Sequence, residues 1–476
     1  MNPLNRNTAQ TPAYPVKILQ FGEGNFLRAF ADWMIDMLNE KADYQSGVAV
    51  VQPIPQGMVA KLKEQDGLFH HLLRGLSDGQ IVDESRLISC IQQLINPFDD
   101  PEQYFAQALN EDLTIVISNT TEAGIKFSEG DSPEPGKLAA TFPGKLTQLL
   151  KARFDHFKGA PESGLIFIPC ELIDRNGDKL KEAILNYTEI WNYPEAFVNW
   201  LDRYNYFGNT LVDRIVPGFP KDDIKEIQQN LGYEDNLVVS SEAFHLWVIE
   251  GPAEIEVAFP ASKVGLNVKF VDDMEPYRTR KVRILNGAHT AMVPIGLLAG
   301  IETVKEAVED EVIGQYIREI LFEEIMPNIN MPESELREFA ENIIERFRNP
   351  FIRHELKSIS LNSISKFKVR VLPSLLDYIK REQQLPKGLT IALASLIKLY
   401  LSADFDPSDD PKNLQFFEEV KSRSASNEGL INAILGNTAF WDMDLNTVTG
   451  LNKEVLSIFN ALETESTKNL LAGQKL

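Results

Sequence analysis

Short apolar runs alternate with amphipathic stretches over the first half of the chain. Four of these runs predict buried strands, at residues 16–21, 48–51, 113–118 and 165–169. Apolar positions spaced three and four residues apart predict three helices, over residues 25–38, 101–109 and 145–157. Strand, helix and strand in this order are typical of parallel βαβ units in an open α/β sheet. A Ser-Asp-Gly turn predicts an antiparallel hairpin inserted in that sheet, from segments 69–76 and 80–89.

Long amphipathic segments dominate the chain after about residue 274. They predict helices over residues 274–298, 304–322, 333–348, 366–382, 389–401, 413–423 and 453–471. Three short runs predict strands that join the two halves, at residues 238–241, 247–249 and 255–259. The pattern therefore predicts an α/β domain over residues 1–260 and a mostly α-helical domain over residues 261–476.

The composition fits a globular protein with two domains. Of the 476 residues, 43% are hydrophobic and 24% are charged, which argues against general disorder. The chain has 69 acidic residues against 47 Lys and Arg, and its formal net charge is −22. This charge disfavours binding to nucleic acid or to an anionic membrane. An anionic ligand would therefore need a local group of cations.

We expect neither a secretory leader nor a membrane span. Residues 1–15 are polar, and the longest apolar stretch, residues 391–401, is shorter than the roughly 20 residues that cross a bilayer. The two cysteines, Cys90 and Cys170, are too few for a disulfide framework or a cysteine-ligated zinc site. We expect a cytoplasmic protein that is a monomer or a small homo-oligomer.

A glycine turn joins the first predicted strand to the first predicted helix. Glycines at such a turn let the backbone approach a pyrophosphate, whose charge the start of the following helix favours. Leu27 stands where a third glycine would complete the usual fingerprint, and neither an acid nor an arginine follows Val51. The turn is either a dinucleotide phosphate loop or an ordinary connection, and the choice between NAD and NADP stays open. The candidate cofactor-binding residues of the turn are Gly22, Gly24, Asn25 and Phe26.

Three polar side chains share one predicted helix with mostly apolar neighbours. At about 100° per residue, Lys281, Asn286 and His289 fall on one broad face of that helix. Burying such groups without partners is costly, so the pattern favours a lined cavity. A lysine can exchange a proton with a hydroxyl group, an asparagine can donate to a developing alkoxide, and a histidine can orient a substrate. The alternative is a helix with one snorkelling lysine and a satisfied core histidine.

Two segments together resemble the mannitol dehydrogenase family of polyol-specific long-chain dehydrogenases. They read GEGNFLRAF at residues 22–30 and KVRILNGAH at residues 281–289. The resemblance continues in SNTTEAG at residues 118–124, CELIDRNG at residues 170–177 and VDRI at residues 212–215. It implies a Rossmann-like parallel-sheet domain, a mostly α-helical second domain and a site in the cleft between them. It also implies hydride transfer with NAD as the cofactor and without a metal.

The resemblance implies a role for each matching residue. Lys281 would be the general acid/base, Asn286 an oxyanion donor and His289 a contact to a substrate hydroxyl. Three residues fall in substrate-lining motifs: Asn209, Asp213 and Lys366. The family's Cys-Asp-Asn motif reads Cys-Glu-Leu at residues 170–172, so which asparagine replaces its last residue stays open. Asn176 is one candidate for this second oxyanion donor.

Four further candidates surround the predicted nucleotide site: Arg28, Asn119, Thr120 and Glu122. The arginine either approaches a phosphate or lies on the helix surface, and the other three either contact a ligand at a strand end or cap a helix. Asp213 is either a substrate contact or the partner of Arg214 in a structural ion pair. His70 and His71 are adjacent and would face opposite sides of a strand, so we expect no metal site.

The leading hypothesis is an NAD-dependent reductase of a keto-uronate, because within the family the two segments are most similar to such reductases. Mannitol dehydrogenases have an arginine eight residues before the equivalent of Lys366, and Ser358 stands there in this chain. A sugar acid is an anion, so Lys366, Lys357 or Arg353 should meet its carboxylate. The alternatives are a reductase of another keto-uronate, a polyol dehydrogenase, or a noncatalytic protein that binds a nucleotide or a sugar acid.

Overall fold

The chain divides into two compact units, Met1–Met274 and Glu275–Leu476. The computed structural model describes residues 1–121, 123–132 and 137–473. No helix among these residues is both long enough and apolar enough to cross a membrane. Each unit has its own secondary structure and is described by itself.

Six parallel strands form the central sheet of the first unit. In chain order they are β1 (Val16–Phe21), β2 (Gly47–Val51), β3 (Ile91–Ile95), β4 (Ile115–Ser118), β5 (Ile166–Pro169) and β6 (Tyr206–Phe207). Their order across the sheet is β3-β2-β1-β4-β5-β6. This is the order of the Rossmann fold, in which ligands bind beyond the carboxyl ends of β1 and β4, where the winding reverses. The predicted Rossmann-like sheet is confirmed.

The central sheet is buried on both faces. Ile18 packs with helix Ala31–Ala42 on one side of β1, whereas Leu19 packs with helix Phe142–Phe157 on the other. Successive side chains of a strand point to opposite faces, so both positions must be apolar. Burial on both faces therefore explains the uninterrupted apolar runs in the sequence.

Helices and smaller sheets complete the first unit. Its helices are Asn25–Ala29, Ala31–Ala42, Val59–Lys63, Pro101–Ala106, Phe142–Phe157, Asn176–Ile190, Glu195–Tyr204, Ile224–Leu231 and Glu254–Ala258. One small sheet joins Asn209–Asp213, Leu246–Glu250 and Val268–Val271. A short pair joins Asn2–Pro3 to Tyr233–Glu234.

Two predictions about this unit need correction. The hairpin Phe69–Ser77 and Gln80–Ile88 forms, but its first strand pairs with Val239–Ser241 in a separate three-stranded sheet. The predicted strand at residues 255–259 does not form, because residues 255–258 belong to the helix Glu254–Ala258. The two buried side chains of this run, Ile255 and Phe259, are four residues apart, as on one helix face. A short apolar run by itself does not distinguish the two structures.

The second unit is helical, and its described residues, 275–473, contain no strand. Its α-helices are Glu275–Arg280, Gly287–Leu298, Val304–Glu309, Glu311–Glu319, Glu333–Phe347, Leu356–Ile359, Ser363–Arg370, Leu372–Glu382, Lys387–Leu401, Pro411–Arg423, Asn427–Leu435, Thr438–Trp441, Leu451–Thr464 and Thr467–Gly473. Residues Lys281–Asn286 and Ile320–Ile325 form π-helical turns. The predicted helix 366–382 is broken at Val371, because Pro373 has no N–H to continue the hydrogen-bond ladder.

Candidate functional site

Two glycines with different local requirements shape the phosphate turn, residues 22–26. Gly22 has a φ of +122°, and a Cβ atom there would lie 2.8 Å from the carbonyl oxygen of Asn119. Gly24 has a φ of −71° and only open space where its Cβ would be. Gly24 and Asn25, which begin the next helix, are exposed. The turn therefore presents an open edge lined by backbone at the carboxyl end of β1, as a pyrophosphate site requires.

Arg28 is buried, which contradicts its placement on the helix surface. Its side chain is 1% exposed. Its guanidinium donates to the carbonyl oxygen of Leu237 at 2.6 Å and to Asn25 Oδ1 at 2.7 Å. Burial lowers the pKa of Arg28 to about 10, so the group is still charged at neutral pH. Arg28 ties the phosphate turn to the rest of the unit, and a direct contact to phosphate finds no support here.

A buried carboxylate connects the ends of β4 and β5. Glu171 Oε1 accepts hydrogen bonds from the backbone N–H and the hydroxyl of Thr120, both at 2.9 Å. Glu171 Oε2 accepts one from Ser118 Oγ at 3.0 Å. Burial raises the pKa of Glu171, and these hydrogen bonds oppose that rise. Glu171 therefore fixes the loop that starts at the ligand-binding edge of the sheet.

Two predicted nucleotide residues lie at this edge. Asn119 donates its backbone N–H to the carbonyl oxygen of Phe21 at 3.0 Å, directly beside the phosphate turn. Neither Asn119 nor Thr120 caps a helix, because Phe142–Phe157 is capped by Thr141. Their placement favours the ligand role over the helix-cap alternative. Glu122 lies outside the described residues.

The loop after β2 is organised by Gln52 and Glu23. Gln52 Nε2 donates to two carbonyl groups within the loop. Glu23 Oε1 accepts the backbone N–H of Met58 at 3.0 Å, and a Cβ on Gly57 would lie 2.2 Å from that oxygen. Burial raises the pKa of Glu23. The phosphate turn thus places the carboxylate of Glu23 beside the loop after β2. That loop itself has no acidic residue that could bind a ribose hydroxyl.

Asn176 is a structural link. It is fully buried, and its Nδ2 donates to the carbonyl oxygens of Pro169, Glu171 and Thr210 at 3.0 to 3.2 Å. Its Oδ1 accepts the backbone N–H of Thr210 at 2.8 Å. The two amide hydrogens are already committed to backbone carbonyls. Asn176 therefore has no amide hydrogen left for its predicted role as an oxyanion donor.

Asn209 and Asp213 lie at opposite ends of one strand. At about 3.3 Å per residue, their Cα atoms are about 13 Å apart. Asn209 is buried, accepts the backbone N–H of Asp178 at 3.0 Å and donates to Glu250 at 3.2 Å. Asp213 is buried as well. The structure therefore does not gather these two predicted substrate residues at one point.

The motif helix, residues 275–298, contains a wide turn. Its residues Lys281–Asn286 form a π-helical turn, in which the N–H of Gly287 donates to the carbonyl of Val282, five residues earlier. A rotation of 100° per residue does not hold across such a turn, so this rotation does not give the angle between Lys281 and Asn286 around the helix. Both of these side chains are half-buried, and His289 is buried. π-Helical turns are rare and often lie at functional sites.

His289 lies in a buried and positively charged environment. Its ring stacks on Phe347 with centroids 4.3 Å apart and meets His354 edge-on at 5.0 Å. Its Nε2 is buried and has no hydrogen-bond partner among the described residues, so it is not a satisfied core histidine. Burial, His354 and three cations hold the pKa of His289 well below its usual value; the cations are Arg346, Arg370 and Lys366. The imidazole is therefore neutral at neutral pH.

The three cations that were expected to meet an anionic ligand differ in their exposure and in their partners. Lys366 is half-buried, and its charge helps to lower the pKa of His289. Burial and the charge of Arg370 lower the pKa of Lys366 itself. Lys357 is exposed, and Arg353 is exposed and paired with two glutamates. The charge of Lys366 thus reaches His289, and the contact of Lys366 with a carboxylate stays a prediction. The sequence did not single out Arg370, which lies four residues after Lys366 on the same helix.

No group of three or more His, Cys, Asp or Glu side chains in the described part of the chain could hold a metal ion. The adjacent histidines have separate partners. His70 Nδ1 bonds to Asp235 at 2.9 Å, and His71 Nε2 bonds to Ser241 Oγ at 2.7 Å.

Two family models match the chain. The mannitol dehydrogenase Rossmann domain matches residues 16–260, and the mannitol dehydrogenase C-terminal domain matches residues 273–463. An altronate oxidoreductase of Phocaeicola vulgatus is 44% identical over 99% of this chain and 100% of its own length. An altronate oxidoreductase of Bacillus subtilis is 46% identical over 97% of this chain and 95% of its own length.

Two solved structures share the fold. A substrate-free D-sorbitol dehydrogenase has a TM-score of 0.81 at 20% identity, covering 98% of this chain and 99% of its own. The mannitol 2-dehydrogenase of Pseudomonas fluorescens, in a ternary complex with NAD and D-mannitol, has a TM-score of 0.68 at 19% identity and covers 99% of both chains. The predicted combination of a parallel-sheet domain and a helical domain is confirmed.

Proposed function

Since the chain belongs to the mannitol dehydrogenase family of oxidoreductases, we propose that it reduces D-tagaturonate to D-altronate with NADH. The observation that carries this proposal is an identity of 43 to 46% to several altronate oxidoreductases over nearly the whole chain. A keto-uronate also agrees with the positive charges around His289, because its carboxylate needs a local cation in a chain of net charge −22.

The motif helix supplies the groups that the reaction needs. Lys281, half-buried at the start of the π-helical turn, donates the proton to the oxygen of the ketone. Asn286, at the end of the same turn, donates a hydrogen bond to that oxygen as negative charge develops on it. Nε2 of His289, which has no hydrogen-bond partner among the described residues, forms a hydrogen bond with a hydroxyl group of the sugar. The bound dinucleotide supplies the hydride.

The first unit fits a dinucleotide at the carboxyl edge of its sheet. The open side of Gly24 and the exposed start of the next helix suit the pyrophosphate. NAD is favoured over NADP, because residues 52–58, after β2, contain no Lys or Arg to meet a 2′-phosphate. The carboxylate of Glu23 beside Met58 would repel such a phosphate.

Steady-state kinetics test the proposal. NADH and NADPH are each offered with D-tagaturonate, D-fructuronate and D-fructose, and we expect the highest kcat/KM for tagaturonate with NADH. A higher value with fructuronate would favour the other keto-uronate reductase, and equal or better rates with fructose would overturn the uronate assignment. NADH binding by calorimetry without turnover of any of the three would indicate a noncatalytic protein.

A further inference from the structure

One of the cations around His289, Arg370, has no counter-ion among the residues that the structure describes. Arg370 is half-buried at the last position of helix Ser363–Arg370. Within the part of the chain that the structure describes, its guanidinium makes no hydrogen bond or ion pair. Lys366 lies one turn earlier on the same face of this helix, and like charges four residues apart repel each other. The pair is therefore a place where an anion would be favourable.

The helix that carries this pair touches the motif helix. A Cβ on Gly287 would lie only 3.1 Å from the carbonyl oxygen of Arg370. Gly287 directly follows the π-helical turn Lys281–Asn286 and precedes His289 by two residues. The end of helix Ser363–Arg370 is thus packed beside the groups that are proposed to act on the ketone.

We propose that Arg370, together with Lys366, binds the carboxylate of the sugar-acid substrate and so selects keto-uronates over neutral ketoses. A guanidinium presents two parallel N–H donors that match the two oxygens of a carboxylate, whereas an ammonium contributes a point charge. The unpartnered Nε2 of His289 suits a hydroxyl group next to that carboxylate. This inference rests on the proposed function and adds to it the residue that reads the substrate charge.

Two other features bear on these charges. The negative charge of Asp409 raises the pKa of Lys366. The carboxylate of Asp409, however, already accepts hydrogen bonds from the backbone N–H of Ile364 at 3.2 Å and from the hydroxyl of Tyr400. A cation at the carboxyl end of a helix is also favoured by the helix dipole. A dipole role alone predicts that loss of Arg370 changes stability and leaves substrate choice unaltered.

The kinetic test compares two variants on one helix. In Arg370→Ala we expect kcat/KM for D-tagaturonate to fall at least tenfold, mainly through KM, and kcat/KM for D-fructose to stay unchanged. Arg370→Lys should recover part of the loss. Lys368→Ala is the matched control, since Lys368 is engaged with Asp442 at 3.0 Å and its removal takes the same charge from the same helix. Equal losses for both ketones, or equal effects of the alanine variants at 368 and 370, would overturn the proposal.

A binding measurement keeps this inference separate from the proposed function. Calorimetry in the presence of NAD compares D-altronate with the neutral alditol D-altritol, and it needs no turnover. Arg370→Ala should bind altronate at least tenfold more weakly and altritol as the native protein does. If the native enzyme does not reduce tagaturonate but shows this difference, the proposed reaction fails and the carboxylate site stands. If it reduces tagaturonate and the variant binds altronate normally, the carboxylate site alone fails.

Discussion

Thr120 donates two hydrogen bonds to one oxygen of Glu171, from its backbone N–H and from its hydroxyl group, each 2.9 Å long. The two residues follow neighbouring strands, β4 and β5, so the contact holds the ligand-binding edge of the sheet together. A loop that is ordered before its ligand arrives loses less conformational freedom on binding. We infer that the pair orders the proposed nucleotide site before the cofactor binds.

We expect Glu171→Ala to weaken NADH binding about tenfold, which corresponds to about 1.4 kcal/mol. The change leaves the partly buried N–H of Thr120 without its acceptor and releases the loop. Calorimetric titration with NADH measures the effect. Ser118→Ala, which removes only one donor to the same carboxylate, is the control and should bind NADH nearly as the native protein does. Native affinity in the Glu171 variant would place this loop outside the nucleotide site.

The two glycines of the phosphate turn should respond differently to a methyl group. Gly22→Ala should lower the free energy of unfolding by about 1–3 kcal/mol, because φ is +122° and the new Cβ would lie 2.8 Å from a carbonyl oxygen. Gly24→Ala meets no atom and should change stability by less than about 0.5 kcal/mol, yet weaken NADH binding. Urea unfolding and calorimetry measure the two effects. A Gly24 variant with native NADH affinity would contradict the phosphate-loop assignment.

Replacement of Asn176 should lower stability, whereas replacement of Asn286 should lower the catalytic rate. Asn176→Ala removes a fully buried amide that joins three backbone carbonyls, so the free energy of unfolding should fall by about 2–3 kcal/mol while kcat stays near native. Asn286→Ala should fold normally and lose about a hundredfold in kcat, the usual cost of one oxyanion donor. Unfolding curves and initial rates on both variants are needed. The reverse pattern would restore Asn176 as the oxyanion donor.

His245 should make the protein less stable in mild acid. Burial, helped by Arg214, lowers the pKa of His245 to about 4, whereas the unfolded chain has a value of about 6.5. Between these values the unfolded chain binds a proton that the folded chain does not. Stability therefore falls as the pH falls, by up to about 1.4 kcal/mol per pH unit for this group.

The variant His245→Gln removes this titration. Its amide oxygen can replace Nε2 as the acceptor for the backbone N–H of Asn267, which lies at 3.0 Å in the native protein. Urea unfolding from about pH 6.5 to about pH 5 should show a shallower loss of stability in the variant. Identical slopes in the two proteins would show that His245 takes up its proton in the folded state as well.

Local patterns were enough to predict four of the six strands of the central sheet and the glycine turn after β1, whereas β3 and β6 were not predicted. Strands β1, β2, β4 and β5 are buried on both faces, so each is a short apolar run that stands out in the sequence. The turn after β1 was readable because Gly22 must adopt a positive φ there. Lys281, Asn286 and His289 were singled out as candidates because polar groups are costly among apolar neighbours.

The remaining features depend on contacts that no local pattern contains. Glu171 meets Thr120 across 51 residues of sequence, and only the strand order brings them together. The π-helical turn Lys281–Asn286 shifts the hydrogen bonds by one residue, which the spacing of apolar positions does not reveal. Arg370 looks like an ordinary cation at a helix end until its half-burial beside Lys366 is known.

Hydride transfer to a keto-uronate, with Lys281 as the proton donor, is tested most directly with deuterated NADH. The native enzyme is incubated with D-tagaturonate and NADH that carries deuterium at both positions of the nicotinamide C4, and the product is examined by NMR. We expect D-altronate with one deuterium on the former ketone carbon, formed at least about a hundredfold more slowly by Lys281→Ala. A product without deuterium at that carbon, or a near-native rate in the lysine variant, would contradict the mechanism.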